Sequence, residues 1–351
     1  MNTRVLQRNV SKEADINGYD GASFSLKYST PTEKFIRRSM LKLTAKNLDG
    51  LELYSGGMNV KSNDEKNTVS VLYTSLYRRG VNSLEYLLYK DQWRSSRYNN
   101  YVTLALEHTY NYRRGNGNIN LSLRTSSIGS VYDYSYLTLN VINRNHLGKF
   151  NFSTHVFGQF ATGENFADEN ALYISGTNPE GLMNDKFTRS RAYVPVDWLG
   201  YSVNTNHFQQ GGGLNLRGYA GYLVPETDKN GSMRFAYKGT TGFSLSAELD
   251  FEKLFHVAPS FTREWLGIEL YLFGDAGTIN YNTQHETLRF AELRADAGIG
   301  ATATIKKFGP LETIKPFTIR FDMPFLLSRT PAVDADYINF NRWVVGIGRT
   351  F

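Results

Sequence analysis

From Trp265 to Gly277 two parities alternate: Leu266, Ile268, Leu270, Leu272 and Ala276 on one, Glu269, Tyr271, Phe273 and Asp275 on the other. A period of two is the mark of a strand with two different faces. The stretch 243–251 repeats it, with Phe243, Leu245, Ala247, Leu249 and Phe251 opposed by Ser244, Ser246, Glu248 and Asp250. So do Leu293 to Ile299, against Arg294 and Asp296, and Phe317 to Met323, against Thr318, Arg320 and Asp322. Carboxylates and guanidinium groups on the second face would be costly in a dry sandwich core. A strand of about 10 residues with one lipid-facing side and one side toward a wet lumen accommodates both sets. The mean hydropathy of −0.41 and the lack of a long apolar run therefore exclude a spanning helix but not a spanning barrel. The 23 Tyr, 22 Phe and 31 Gly suit such a barrel, whose aromatic girdles mark the two interfaces.

Earlier segments read the same way, at about 21–29, 34–46, 51–62, 67–78, 81–92, 100–111, 118–126, 134–145 and 149–161, with a further strand near 3–13. Their connections are short and polar: NLDG (47–50), NDEK (63–66), RRGNG (113–117) and RNHLGK (144–149). No segment shows a helical period. The expected fold is a single all-β domain over 1–351, a transmembrane up-and-down antiparallel β-barrel of about 16 strands. One connection is long: from about 162 to 236 the alternation lapses into a Gly- and Asn-rich stretch. It also carries Tyr193, Trp198 and Leu199, so a folded loop is expected there.

Several activities find no support. The net charge of +6 is spread among acidic residues, without the basic block of a nucleic-acid footprint. HETLR at His285-Glu286 lacks the second His of a zinc protease helix, the six His are scattered, and there is no Cys, so no metal or cofactor is expected. Asp334 and Asp336 read as solvated loop acids, and no G-x-S-x-G is present. A non-catalytic protein is the expectation.

Within the long loop stands QQGGGLNLRGYAGYL, residues 209–223. A glycine-rich phosphate cradle would need a helix after it, but the next ordered segment is the strand at 243–251. With Arg217, Gly218 and Tyr219 in the loop, Glu248 on the next strand and Phe273, Asp275 and Gly277 in FGDAGTI, the chain resembles the BamA-like superfamily of outer-membrane assembly and secretion proteins, also called the bacterial surface antigen family. The likeness continues through ADAGIGATATI (295–305), FGPLETIKPFTIRFDMPF (308–325) and RWVVGIGRTF (342–351). Over residues 1–160 it is architectural only, and no POTRA-type repeat of strands and helices is found in the chain.

The resemblance implies a bacterial outer-membrane barrel with its sixth loop folded inward, in contact with outer-membrane lipids, client or secreted proteins and periplasmic or lipoprotein assembly partners. Arg217 on such a loop can form a planar, two-bonded pair with a lumenal carboxylate, and Asp275 has the right parity. The resemblance also implies that Gly346, Ile347 and Phe351 belong to a C-terminal strand signal read during assembly. Gly346 and Gly348 weaken that strand. Two functions stay open on these grounds: insertion or translocation of other proteins, or a membrane anchor or pore belonging to a larger export or surface protein.

Overall fold

The computed structural model describes residues 9–17, 21–31, 36–48, 50–80, 88–89, 92–184, 188, 194–200, 207–227, 231–251, 265–281, 288–305, 317–331 and 336–348. The expected strand at 81–92 falls largely outside these residues, as do the HETLR loop, Asp334 and Phe351.

The architecture is nearly all-β. The strands are β1 (Asn9–Asn17), β2 (Gly21–Pro31), β3 (Ile36–Leu48), β4 (Leu51–Ser62), β5 (Asn67–Arg78), β6 (Tyr98–Tyr112), β7 (Gly115–Ser126), β8 (Asp133–Leu147) and β9 (Phe150–Asn165). Within the long loop come the short pieces β10 (Leu172–Tyr173), β11 (Pro225–Thr227), β12 (Met233–Phe235) and β13 (Lys238–Gly239). After it run β14 (Gly242–Asp250), β15 (Leu266–Ile279), β16 (Arg294–Ile305), β17 (Phe317–Leu327) and β18 (Val344–Ile347). Fourteen of these form one sheet in chain order, with β9 followed directly by β14, close to the sixteen expected of an up-and-down barrel.

The tight turns are where the sequence put them. NLDG closes a two-residue hairpin in which Leu48 pairs with Leu51 and Gly50 takes φ 74°. In NDEK, Asp64 accepts from the Lys66 amide at 3.1 Å, and its bond from Ser62 holds the carboxyl below its usual range. The strand expected at 81–92 has no place between β5 and β6, which pair directly from Asn67–His108 to Tyr77–Tyr98. Of the described residues there and just beyond, Leu88, in a turn, and Trp93 are buried.

The contacts group the chain into two compact units. The first comprises Met1–Tyr110, Asn118–Asn140 and Phe160–Glu169; the second Asn111–Gly117, Val141–Gln159 and Asn170–Phe351. In each, one sheet face is apolar and exposed. In the first, Leu41, Leu43, Val69, Val71, Leu104 and Leu106 lie open while Leu53, Thr74 and Leu76 are covered. In the second, Phe243 and Leu245 are 55% and 53% exposed, whereas Ser246 on the other parity is fully covered and Glu248 nearly so. Large apolar side chains repeated in this way, strand after strand, are a lipid-facing surface: in water each would forfeit about 1.5–3 kcal/mol of burial.

In the second unit the covered face carries the long loop. It runs from Phe166 to Thr241, close to the 162–236 read from the sequence, and its described residues include short strands and helical turns. β10 pairs with β13 and β11 with β12. A single helical turn, α1 (Pro179–Asn184), departs from the expectation of no helix: Pro179 opens it and the Asn178 side chain caps the Gly181 amide at 2.9 Å. Six residues are too few to show a helical period. Leu172, Ile174, Leu214, Leu216, Tyr219, Tyr222 and Val224 form an apolar cluster beside Phe157 and Ile279 from the sheet.

Candidate functional site

Arg217 lies in the middle of that cluster with none of its side chain exposed. A buried guanidinium has five donors to satisfy, and the adjacent strands supply the acceptors. Its Nε donates to Asp275 Oδ2 at 2.7 Å and its Nη2 to Asp275 Oδ1 at 2.9 Å, the planar two-bonded pair expected from parity. Its Nη1 donates to Glu248 Oε1 at 2.8 Å and lies 3.8 Å from Asp322 Oδ1. The Arg217 amide adds a bond to Asp275 Oδ2 at 3.3 Å. Burial alone would favour the neutral guanidine; Asp275, Asp322 and Glu248 outweigh it and raise its pKa well above the ordinary value.

The aromatic residue of FGDAGTI completes the pocket. Phe273 lies beneath the guanidinium, whose carbon is 3.8 Å from the ring centre, a desolvated cation–π contact. The same ring covers Gly298 on β16, where a Cβ would come within 2.7 Å of it. Gly277 is equally constrained, since a Cβ there would meet Phe243 O at 2.7 Å and the loop's Leu216 at 3.0 Å.

Gly218 is constrained from the wall side. A Cβ would sit 2.4 Å from Leu327 and 2.7 Å from Asp296, so the loop approaches the wall as closely as a backbone can. Tyr219, also fully buried, donates its hydroxyl to Arg329 O at 3.0 Å, and burial raises the pKa of its phenol. Arg217, Gly218, Tyr219, Glu248, Phe273, Asp275 and Gly277 are thus brought together.

The sequence reading missed a second layer. Asp322 accepts from Tyr271 at 2.5 Å and from Arg320 at 2.5 Å; Arg320 in turn donates to the backbone oxygen of Gln209 at 3.0 Å and to its side-chain oxygen. Arg294 holds the loop at another point through Glu226, at 2.6 Å. Parity had already placed Tyr271, Arg294, Arg320 and Asp322 on the polar face, and that was the available signal. Nothing in the sequence marks Gln209, which is bound partly through its main chain. Gly346 also gains a new role: a Cβ there would come within 2.5 Å of Arg320 and 2.6 Å of Gln209 O. Ile347 lies on β18, paired with Ile319.

These features define a class: an up-and-down antiparallel β-sheet protein with a lipid-facing apolar surface and a loop pinned on its polar face by a buried arginine. No protein-family model matches the sequence, and no curated protein matches it. Among solved structures, BamA from Haemophilus ducreyi lacking POTRA domains 1–3 aligns at 15% identity over 94% of this chain and 62% of its own, with a TM-score of 0.48. CdiB from Escherichia coli aligns at 11% identity over 93% of this chain and 52% of its own, TM-score 0.49. A BenF-like porin from Pseudomonas fluorescens aligns at 10% over 92% and 66%, TM-score 0.40. The chain spans less than two thirds of the length of the first two.

Proposed function

We propose that this chain is the membrane-embedded part of a bacterial outer-membrane protein of the BamA-like type, a non-catalytic barrel that takes part in inserting or translocating other proteins. The observation that carries the reading is the Arg217 cluster: an Arg-Gly-Tyr loop motif bound by two bonds to Asp275 and a third to Glu248, with Phe273 beneath it. Seven residues from three separate segments, which the motif order alone had linked, converge on one point. A sealed, buried guanidinium offers no substrate access, so the cluster holds a loop in place and does no chemistry. Outer-membrane lipids contact the apolar face; client proteins, with periplasmic or lipoprotein assembly factors, are the partners this reading calls for.

Depletion of the protein, followed by a quantitative census of outer-membrane proteins, tests it. A fall in folded barrels or in a subset of surface proteins, restored by the wild-type chain, is the expected result. An unchanged census would reject insertion or translocation and leave the role of anchor or pore for a larger protein.

A further inference from the structure

Two neighbouring turns of the second unit are basic and carry no acid. The β6–β7 connection brings Arg113 and Arg114; the β8–β9 connection and its flanks bring Arg144, His146 and Lys149. No Asp or Glu occurs from 108 to 132 or from 134 to 163. The turns are held side by side. The His146 amide donates to Arg114 O at 2.6 Å, and a Cβ on Gly115 would collide with Arg144 O. The Tyr112 hydroxyl lies within hydrogen-bonding reach of the Asn143 and Asn145 side-chain oxygens, 2.8 Å from the first. Adjacent strands are about 5 Å apart, so one phosphate can meet cations from both turns. His146 is engaged with Asn151 at 2.7 Å. Arg113, Arg114 and Lys149 are exposed and Arg144 partly so, and the side chains of these four make no ion pair or hydrogen bond. The NDEK turn, by contrast, answers its own charge, with Lys61 3.5 Å from Glu65. Asp250, across from Asn151, is buried on the covered face.

Beside these cations Tyr112, Leu147 and Phe150 are exposed. Phe150 shares its parity along β9 with the exposed Val156, so it belongs to the lipid-facing surface. That surface ends where the charges begin, and aromatic residues at such a border sit at the level of the lipid headgroups. The strand pairing tells which border it is. Gly242, just after the long loop, pairs with Gln159, whereas Asp250 pairs with Asn151 beside the basic turns. The turns therefore lie at the end of β9 and β14 opposite the long loop, and outer-membrane barrels keep short turns on the periplasmic side. We propose that Arg113, Arg114, Arg144 and Lys149 form a binding rim for anionic phospholipid headgroups of the periplasmic leaflet. A lipid phosphate accepts two bonds from a guanidinium and supplies the negative charge that no carboxylate of the chain supplies here. An acidic protein would match the charges but not the apolar border; a lipid matches both.

The inference rests on the membrane-embedded reading above, and the test separates the two. The purified protein is placed in vesicles of phosphatidylcholine, alone or mixed with phosphatidylglycerol, and the lipids it retains are identified by native mass spectrometry. Wild type should retain phosphatidylglycerol over phosphatidylcholine by at least about tenfold. Arg114→Gln with Arg144→Gln should lower that preference at least about threefold, and adding Arg113→Gln and Lys149→Gln should bring it below about twofold. Arg97→Gln with Arg234→Gln, at exposed arginines outside the rim, should change it by less than about twofold. A measurement that needs no variant is salt: molar salt should cut the wild-type preference severalfold. Absence of a preference in wild type, or the same preference in the fourfold variant, overturns the rim. Retention of polyglutamate without any lipid preference overturns it in favour of an acidic protein partner. Entry into both kinds of vesicle without preference rejects the rim alone; failure of wild type to enter either rejects the membrane-embedded reading and the rim with it.

Discussion

The covered faces of the two units solve one problem in different ways. In the first, tyrosines and amides do the work. Asn99 donates to Glu169 at 2.7 Å and accepts from Tyr134 at 2.9 Å, while Tyr134 packs on Phe166 at 4.8 Å. Arg124 lies over the rings of Tyr101 and Tyr136, 4.2 and 5.4 Å from their centres. Tyr132, pushed up to about 12 by burial and then by the Glu169 carboxylate, stays neutral at any ordinary pH. In the second unit, Arg217 and Arg320 meet Glu248, Asp275 and Asp322 with almost no exposure. Phenols and amides lose little when one partner goes, because a neutral bond nets about 0.5–1.5 kcal/mol. Removal of one partner from a buried ion cluster leaves a charge with no answer. The outward faces are alike; the inward faces differ in how far a single substitution propagates.

The largest effect comes from that difference. Arg217→Ala strands Asp275 and Glu248 in a dry pocket and should cost about 3–5 kcal/mol, with Asp275→Asn in the same direction. Urea unfolding of the refolded protein in lipid, with limited proteolysis inside 207–227, measures both parts. A loss below about 1 kcal/mol would mean that water reaches the carboxylates and that the two faces are alike after all.

Gly218→Ala ranks next. The added methyl has to displace Leu327 and the Asp296 side chain or lift the loop, and overpacking of this kind costs about 1–3 kcal/mol. The expected signature is a loosened loop with β14–β17 intact, seen as faster amide exchange at Tyr219 and Ala220 with no change at Leu272. A wild-type exchange pattern would show that Leu327 yields freely and that the close approach is not strict.

Legibility in the sequence divided in the same way, between periodic and particular. β4 and β5 have the bounds that alternation assigns, 51–62 and 67–78, because exposure of one face to lipid and cover of the other force a strict period. The strand that alternation assigns to 81–92 falls largely outside the described residues, and β5 and β6 pair directly with each other. Arg217, Asp275 and Glu248 were readable because their motif order agreed with parity. Arg320 was placed on the correct face but not joined to Gln209, because a main-chain acceptor has no letter in the sequence. The parallel bridge between Phe208 and Val345 left no mark either, because backbone atoms alone make it. The aromatic residues around it, Trp198, His207 and Trp343, read singly as girdle or loop residues.

The smallest predicted effect probes the first unit. Tyr134→Phe removes the hydroxyl that donates to Asn99, and the ring stays packed on Phe166. The Asn99 side chain keeps its bond to Glu169, so one acceptor loses one neutral donor. The expected cost is about 0.5–1.5 kcal/mol, read by the same unfolding measurement as for Arg217→Ala. Buried neutral networks can exceed the sum of their pairs, and the double variant Tyr134→Phe with Asn99→Ala separates the cases. A single-variant cost above about 3 kcal/mol would show that Glu169 depends on Tyr134 through Asn99 as tightly as Asp275 depends on Arg217, and the contrast between the two faces would fail. A cost within the expected range would leave the charged cluster as the feature that sets the second unit apart.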